Sequence, residues 1–256
     1  MGEGDTTENR AEILTPQGRE DRGAPHRMRL KQKRSHCVRC GSCCTGGGPV
    51  LMKGDLTLFL SGVLSHETAY TIRESELVRT EGGEEIFEAP MELIKIREKE
   101  DARGCFFHRG DEGCAIYEDR PSQCRAYKCW APEDLLTGLE KERLTRKELF
   151  GSVGALMEII ARHEEKSSYA KLSAAFAKLA QGSEDAVEEI VEEIMDALQY
   201  DTYVRPFLKE RFAVPEEALD LILGRPLVDT VNAFGFRIER EGDEYLLLPI
   251  ETEERK

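Results

Sequence analysis

Four thiols fall within eight residues at Cys37-Val-Arg-Cys40-Gly-Ser-Cys43-Cys44, and four more follow at Cys105, Cys114, Cys124 and Cys129. These are all eight cysteines of the chain, confined between residues 37 and 129. Thiolates are polarisable, negatively charged donors, so thiols this dense suit a soft metal centre. Two guests compete. Cys37-x2-Cys40-x2-Cys43 puts three sulfurs on one curled loop, which suits three corners of a cubane iron–sulfur cluster whose fourth ligand comes from elsewhere. Gly41 and Gly46-Gly47-Gly48 allow the positive φ values such a loop needs and leave N–H groups free to point at sulfur. The ferredoxin run ends in a further cysteine followed by proline, and that ending is absent. Zinc commonly uses two Cys-x2-Cys knuckles. Only one run has that spacing, because eight, nine and four residues separate the remaining cysteines. Spacing therefore leans towards iron–sulfur, with a four-thiolate zinc site assembled from distant loops as the alternative. Eight thiols fill two four-ligand sites, or one site with thiols left over.

Disulfides are the rival use of cysteine. The start, Met1-Gly-Glu-Gly-Asp-Thr, lacks a basic residue followed by an apolar run, so no secretory signal is readable. A chain of 256 residues can bury an ordinary core without staples. Adjacent residues such as Cys43 and Cys44 do not readily bridge each other. A reduced, cytoplasmic chain is the expectation. Histidine adds little: His36 precedes the first cysteine and His108 lies three residues after Cys105, and whether either is a ligand stays open. His66 has no metal-like neighbour, and His163-Glu-Glu-Lys lacks the second histidine of a zinc protease motif.

The cysteine pattern, together with Cys114-Ala-Ile-Tyr-Glu-Asp-Arg-Pro-Ser-Gln-Cys124-Arg, resembles the CxxCxxCC family, the YkgJ-like cysteine-cluster proteins of bacteria and archaea described as zinc- or iron-chelating. The resemblance covers residues 36–130. It implies a metal-binding module rather than a defined reaction, and it marks Cys37, Cys40, Cys43, Cys44, Cys105, Cys114 and Cys124 as chelators. Cys129 fits as a further ligand at the edge of the motif. Tyr117, Arg120, Pro121 and Arg125 belong to the same stretch. Pro121 fixes a turn that delivers Cys124. Arg120 and Arg125 either offset thiolate charge and donate hydrogen bonds to ligands, or cap turns and pair with Glu118 and Asp119.

Stepping along the chain gives the elements that must position these thiols. Residues 1–35 lack hydrophobic periodicity and read as a disordered tail with a basic end at Arg27, Arg29, Lys31, Lys33 and Arg34. Residues 36–130 form the cysteine region. A helix is expected from Lys53, with Asp55 as its cap. Ile86-Phe-Glu-Ala and Glu92-Leu-Ile-Lys-Ile alternate as short strands, and the turns before Trp130 carry Cys105, Cys114 and Cys124. Residues 131–256 are acidic and mainly helical. Leu135, Leu136 and Leu139 recur at helical spacing, as do Leu156, Ile159 and Ile160, and Val187, Ile190, Val191, Ile194 and Leu198. Glu188, Glu189, Glu192 and Glu193 read as a solvated face, since no histidine stands at the offset a di-metal site needs. Phe234 to Arg240 and Glu244 to Ile250, joined around Gly242-Asp243, signal a hairpin. The expected fold class is α+β: a small irregular metal-bound domain with minor strands, then a helical region and a C-terminal β-hairpin.

The net charge of -14 excludes some partners. Nearly all the acidic excess falls on residues 131–256, which disfavours nucleic acid and anionic membranes there. No apolar run approaches the roughly 20 residues of a bilayer span. The expected partners are a metal ion or cluster and a protein docking on the acidic helices. Three functional classes follow: a metal-binding protein serving electron transfer, metal handling or structure; a metal-dependent enzyme such as an oxidoreductase or a protein methyltransferase, flagellin lysine methylases being similar in their cysteine cluster; and a zinc-stapled interaction scaffold. No glycine-rich cofactor fingerprint and no acid/base constellation supports the second.

Overall fold

Leu51, Ile94, Ile96 and Leu144 are wholly inaccessible to solvent, and the elements that carry them build the part of the fold that holds the cysteines. The structure, a computed structural model, describes residues 36–79, 86–99, 102–129, 142–181, 187–241 and 244–250. The tail read over 1–35, the helical spacing of Leu135, Leu136 and Leu139, and the Gly242-Asp243 turn lie outside the described residues. Ser35–Lys256 forms one compact unit.

A 3-10 turn at Lys53–Asp55 leads into α1 (Leu56–Leu60). Strands β1 (Ala69–Ile72), β2 (Leu77–Arg79), β3 (Ile86–Glu88), β4 (Leu93–Ile96), β5 (Glu98–Lys99) and β6 (Ala102–Cys105) follow, then the short helix α2 (Ser122–Ala126). The helical part comprises α3 (Arg146–Phe150), α4 (Gly154–Lys166), α5 (Tyr169–Ala180), α6 (Val187–Phe212), α7 (Glu216–Ile222) and α8 (Leu227–Thr230). Strands β7 (Phe236–Glu241) and β8 (Glu244–Pro249) close the chain as the expected hairpin. Strands pair in antiparallel twos, β1 with β4, β2 with β3, β5 with β6 and β7 with β8, so the class is α+β.

A two-stranded ribbon is marginal by itself in water, and burial on neighbouring elements stabilises these. The β1–β4 register pairs Ala69 with Ile96 and Thr71 with Ile94. Alternate residues of a strand point to opposite faces. Ala69, Ile94 and Ile96 accordingly enter one cluster with Leu51, Leu64, Cys105 and Leu144. Tyr70, Ile72 and Leu93 enter another with Val78 and Ala89. With both faces covered, all four β1 residues are buried. Thr71 Oγ1 donates to the Leu221 carbonyl at 2.7 Å, tying the strand to α7. In α6 the buried positions Ile190, Ile194, Ala197, Leu198, Asp201, Val204 and Leu208 recur at three and four residues, the stripe of a helix lying on a core. Glu188, Glu189, Glu192 and Glu193 face solvent, as their spacing predicts.

Buried charge joins the strands to the helices. The Arg146 guanidinium, 3% exposed, meets Glu92, Glu164 and the Ile222 carbonyl. Arg73, fully buried, forks onto Glu164 with two bonds of 2.8 Å and donates to the Ser167 carbonyl at 2.6 Å. His163 Nε2 lies 2.8 Å from Asp201 Oδ1, and Asp201 also takes the Arg205 guanidinium and the Leu227 N–H.

Candidate metal centre

The loop that carries the first four thiols is held by backbone bonds. Cys44 and Thr45 N–H both donate to the Gly41 carbonyl, at 2.8 and 3.1 Å. Gly41 has φ +73, and a Cβ there would sit 2.3 Å from His108 Nε2. Glycine is thus required twice, for the left-handed backbone and for the ring lodged against it. The loop continues to β6 because Cys105 N–H donates to the Cys44 carbonyl at 2.7 Å. His108 N–H returns to the Cys105 carbonyl, and His108 bridges to Cys114. Cys44, Cys105 and Cys114 are therefore brought together by main-chain hydrogen bonding.

Two thiols stand on firmer elements than their sequence suggests. Turns are expected at both Cys105 and Cys124. Cys105 instead ends strand β6 opposite Glu98, and Cys124 lies within α2. The reason for α2 is remote in sequence. Pro121, with φ -56, precedes it, and Asp55 Oδ1 accepts both the Ser122 N–H at 2.9 Å and its hydroxyl at 2.7 Å. The carboxylate expected to cap the helix after Lys53 thus serves two elements, because its other oxygen accepts the Met52 N–H in a capping box at the 3-10 turn. Gln123 fastens α2 further by accepting the Val50 N–H at 2.6 Å.

The thiols differ in environment. Cys105 is buried, Cys37, Cys44, Cys114 and Cys124 are half-buried, and Cys40, Cys43 and Cys129 are exposed; all eight are free thiols. Cys43 and Cys44 sulfurs lie 3.9 Å apart. The Cys44 hydrogen bond holds the Cys43 thiol down to about 6, with burial in opposition. Cys44 is pushed far up by that same hydrogen bond, then by burial and by the charges of Cys43, Cys105 and Cys114. Burial pushes Cys124 up to about 12, with Cys105, Cys43 and Cys114 adding to it. Burial also raises Cys105, ahead of the effect of Cys114. Cys44 and Cys124 thus each feel the charges of Cys43, Cys105 and Cys114. Cys37 accepts the Arg39 N–H and Cys40 contacts the Ser42 hydroxyl at the outer turn of the loop. Cys129 lies beyond the end of α2.

Around them, Arg120 donates to the Tyr117 carbonyl, and Arg125 to the carbonyls of Arg120 and Glu118. Both cap turns, and Arg120 additionally lowers Cys124 by its charge. The donor chemistry fits a soft metal. Around one zinc ion, bonds of about 2.3 Å place tetrahedral sulfurs about 3.8 Å apart, close to the separation of Cys43 and Cys44. Among the described residues no three His, Cys, Asp or Glu side chains form a ready-made metal polyhedron. What sequence reasoning missed is Glu98: it faces Cys105 across β5–β6, pairs with Lys95 and accepts the Gly48 N–H. A lone glutamate in a charged run carries no spacing signal.

Residues 36–149 match the family model CxxCxxCC, described as "Putative zinc- or iron-chelating domain". No curated protein and no solved structure matches the chain.

Proposed function

We propose that the CxxCxxCC segment, residues 36–149, binds a soft metal through Cys43, Cys44, Cys105, Cys114 and Cys124, with Cys37, Cys40 and Cys129 as further donors at the rim, and that its role is metal handling. The observation that carries this reading is the main-chain hydrogen bonding that brings Cys44, Cys105 and Cys114 together from separate stretches. Exposure argues for handling over stapling: Cys40, Cys43 and Cys129 face solvent, where an incoming or competing thiolate can reach them. The segment also packs apolar side chains around Leu51, Ile94 and Ile96, joined by Leu221 of α7, so its folding does not depend on metal alone. The metal is the cargo.

The separation of Cys43 and Cys44 favours one tetrahedral ion, zinc or iron, with both sulfurs on the same metal. An iron–sulfur cluster is the second reading, favoured by Cys37-x2-Cys40-x2-Cys43. Anaerobic purification followed by analysis for zinc, iron and acid-labile sulfide decides between them. Zinc or iron without sulfide supports the single ion. Iron with stoichiometric sulfide and a broad band near ~400 nm supports the cluster. A protein that takes up neither metal from a buffered supply sinks both.

A further inference from the structure

Arg39 stands inside the cysteine loop, between Cys37 and Cys40, and its guanidinium carbon lies 3.7 Å from the centre of the Tyr117 ring. The guanidinium carbon of Arg120 lies 4.0 Å from the same centre. Two planar cations cannot share one face of a ring at such distances, so Tyr117 is gripped between them. Tyr117 and Arg120 both belong to the segment that runs from Cys114 to Cys124.

We propose that the Arg39–Tyr117–Arg120 stack is a clasp that fastens the loop 37–44 to the segment 114–124, which makes Tyr117 a positioning residue for the thiols. The inference rests on the metal-binding reading only where it concerns affinity. Three further contacts support it. Arg39 has φ 58, a left-handed conformation that a non-glycine residue keeps only when its surroundings hold it. Gly113, itself at φ +80, lets the chain pass so close that a Cβ there would lie 3.3 Å from the Arg39 carbonyl oxygen. The donation from Arg120 to the Tyr117 carbonyl, at 2.8 Å, holds the guanidinium beside that residue's backbone. The ion pair of Arg39 with Glu118 at 2.9 Å is a lesser part, because its side chains are 55% and 81% exposed and exposed pairs hold weakly. Attraction of a guanidinium to a ring depends on the ring's quadrupole. Phenylalanine keeps that property and leucine does not.

The test compares the full chain with Tyr117→Phe and Tyr117→Leu by hydrogen exchange without metal, and by zinc competition against a chromogenic chelator. In Tyr117→Leu the Cys44 and Thr45 amides, both bonded to the Gly41 carbonyl, exchange about tenfold faster. Amides of α4, α5 and α6 keep their protection. Zinc affinity falls by about 10- to 100-fold. Tyr117→Phe behaves as the parent in both measurements. Unchanged loop exchange in Tyr117→Leu overturns the clasp, and so does Tyr117→Phe behaving like leucine, since the hydroxyl rather than the stack would then matter. If Tyr117→Leu loses protection throughout the helices, Arg39→Met, which removes one cation from an exposed position, carries the same comparison. A parent protein that binds no zinc or iron sinks the metal reading, while the exchange data still decide the clasp.

Discussion

Cys43 and Cys44 hold one hydrogen bond between sulfurs 3.9 Å apart, and this pair is where the metal reading is most exposed to test. Replacing Cys43 by serine removes a soft donor and leaves a similar volume. Elemental analysis of Cys43→Ser should show bound metal falling to a small fraction of the parent's. The same measurement on Cys40→Ser asks whether the outer turn of the loop ligates: a reduced content places Cys40 in the donor set, and an unchanged content removes it. Gly41 gives a second prediction at this scale. Alanine there meets both the left-handed backbone, at about 1–2 kcal/mol, and the His108 ring, 2.3 Å from the new Cβ. Gly41→Ala should therefore weaken metal binding, and adding His108→Ala should restore part of it; a single variant with the parent's affinity would show that the loop shifts without consequence. The spacing of the first four cysteines makes these residues legible in the sequence. The closeness of Cys105 and Cys114 to that loop is not, because it depends on hydrogen bonds to backbone far along the chain.

At the scale of elements, α4 and α6 are joined by a buried acid–base pair that the helical periodicity conceals. His163 Nδ1 has no partner among the described residues, which suits a neutral ring whose Nε2–H donates to Asp201. Burial lowers the pKa of His163 below its ordinary 6.5, against the pull of Asp201. The neutral form is thus the native one, and stability is full above 6.5 and declines as pH falls below it, because the unfolded chain takes up the proton first. Asp201 behaves similarly in a lower window. Burial would raise it, but the bond from His163 and the charge of Arg205 together hold it at about 2 against an ordinary 3.8, so its contribution is lost between those values. Thermal melting followed from pH 7 to pH 5 should show declining stability, by at most about 1.4 kcal/mol per pH unit for one proton. The decline should flatten in His163→Gln; an identical slope would mean that other groups govern it. The Arg146 junction gives a further expectation. Arg146→Met leaves Glu92 and Glu164 without their shared cation and should cost about 3–5 kcal/mol in denaturant unfolding. A loss under about 1 kcal/mol would show those carboxylates to be adequately solvated.

For the whole molecule, the question is whether metal holds the fold or is held by it. The cluster around Leu51, Ile94, Ile96, Leu144 and Leu221 draws on both the cysteine-bearing strands and α7. Stripping metal with a chelator should accordingly leave far-ultraviolet dichroism unchanged and lower the Tm only modestly; collapse of the cysteine segment on chelation would reverse the assignment and make the metal a staple. Much of this organisation is local, and local patterns are readable from sequence. Side-chain periodicity placed β3, β4, α4, α6 and the closing hairpin, and cysteine spacing marked the loop from Cys37 to Cys44 as the candidate chelating segment, because strand and helix repeats and chelate loops are written over a few neighbouring residues. Only the tertiary structure decided that Asp55 caps α2 as well as its own turn, that Cys105 ends a strand opposite Glu98, and that Arg73 and Arg146 meet on Glu164. The Asp55 and Arg73 contacts join residues far apart in sequence, and each partner is selected by where the packed core leaves a buried polar group in need of one, whereas Cys105 meets Glu98 through the register of a short ribbon.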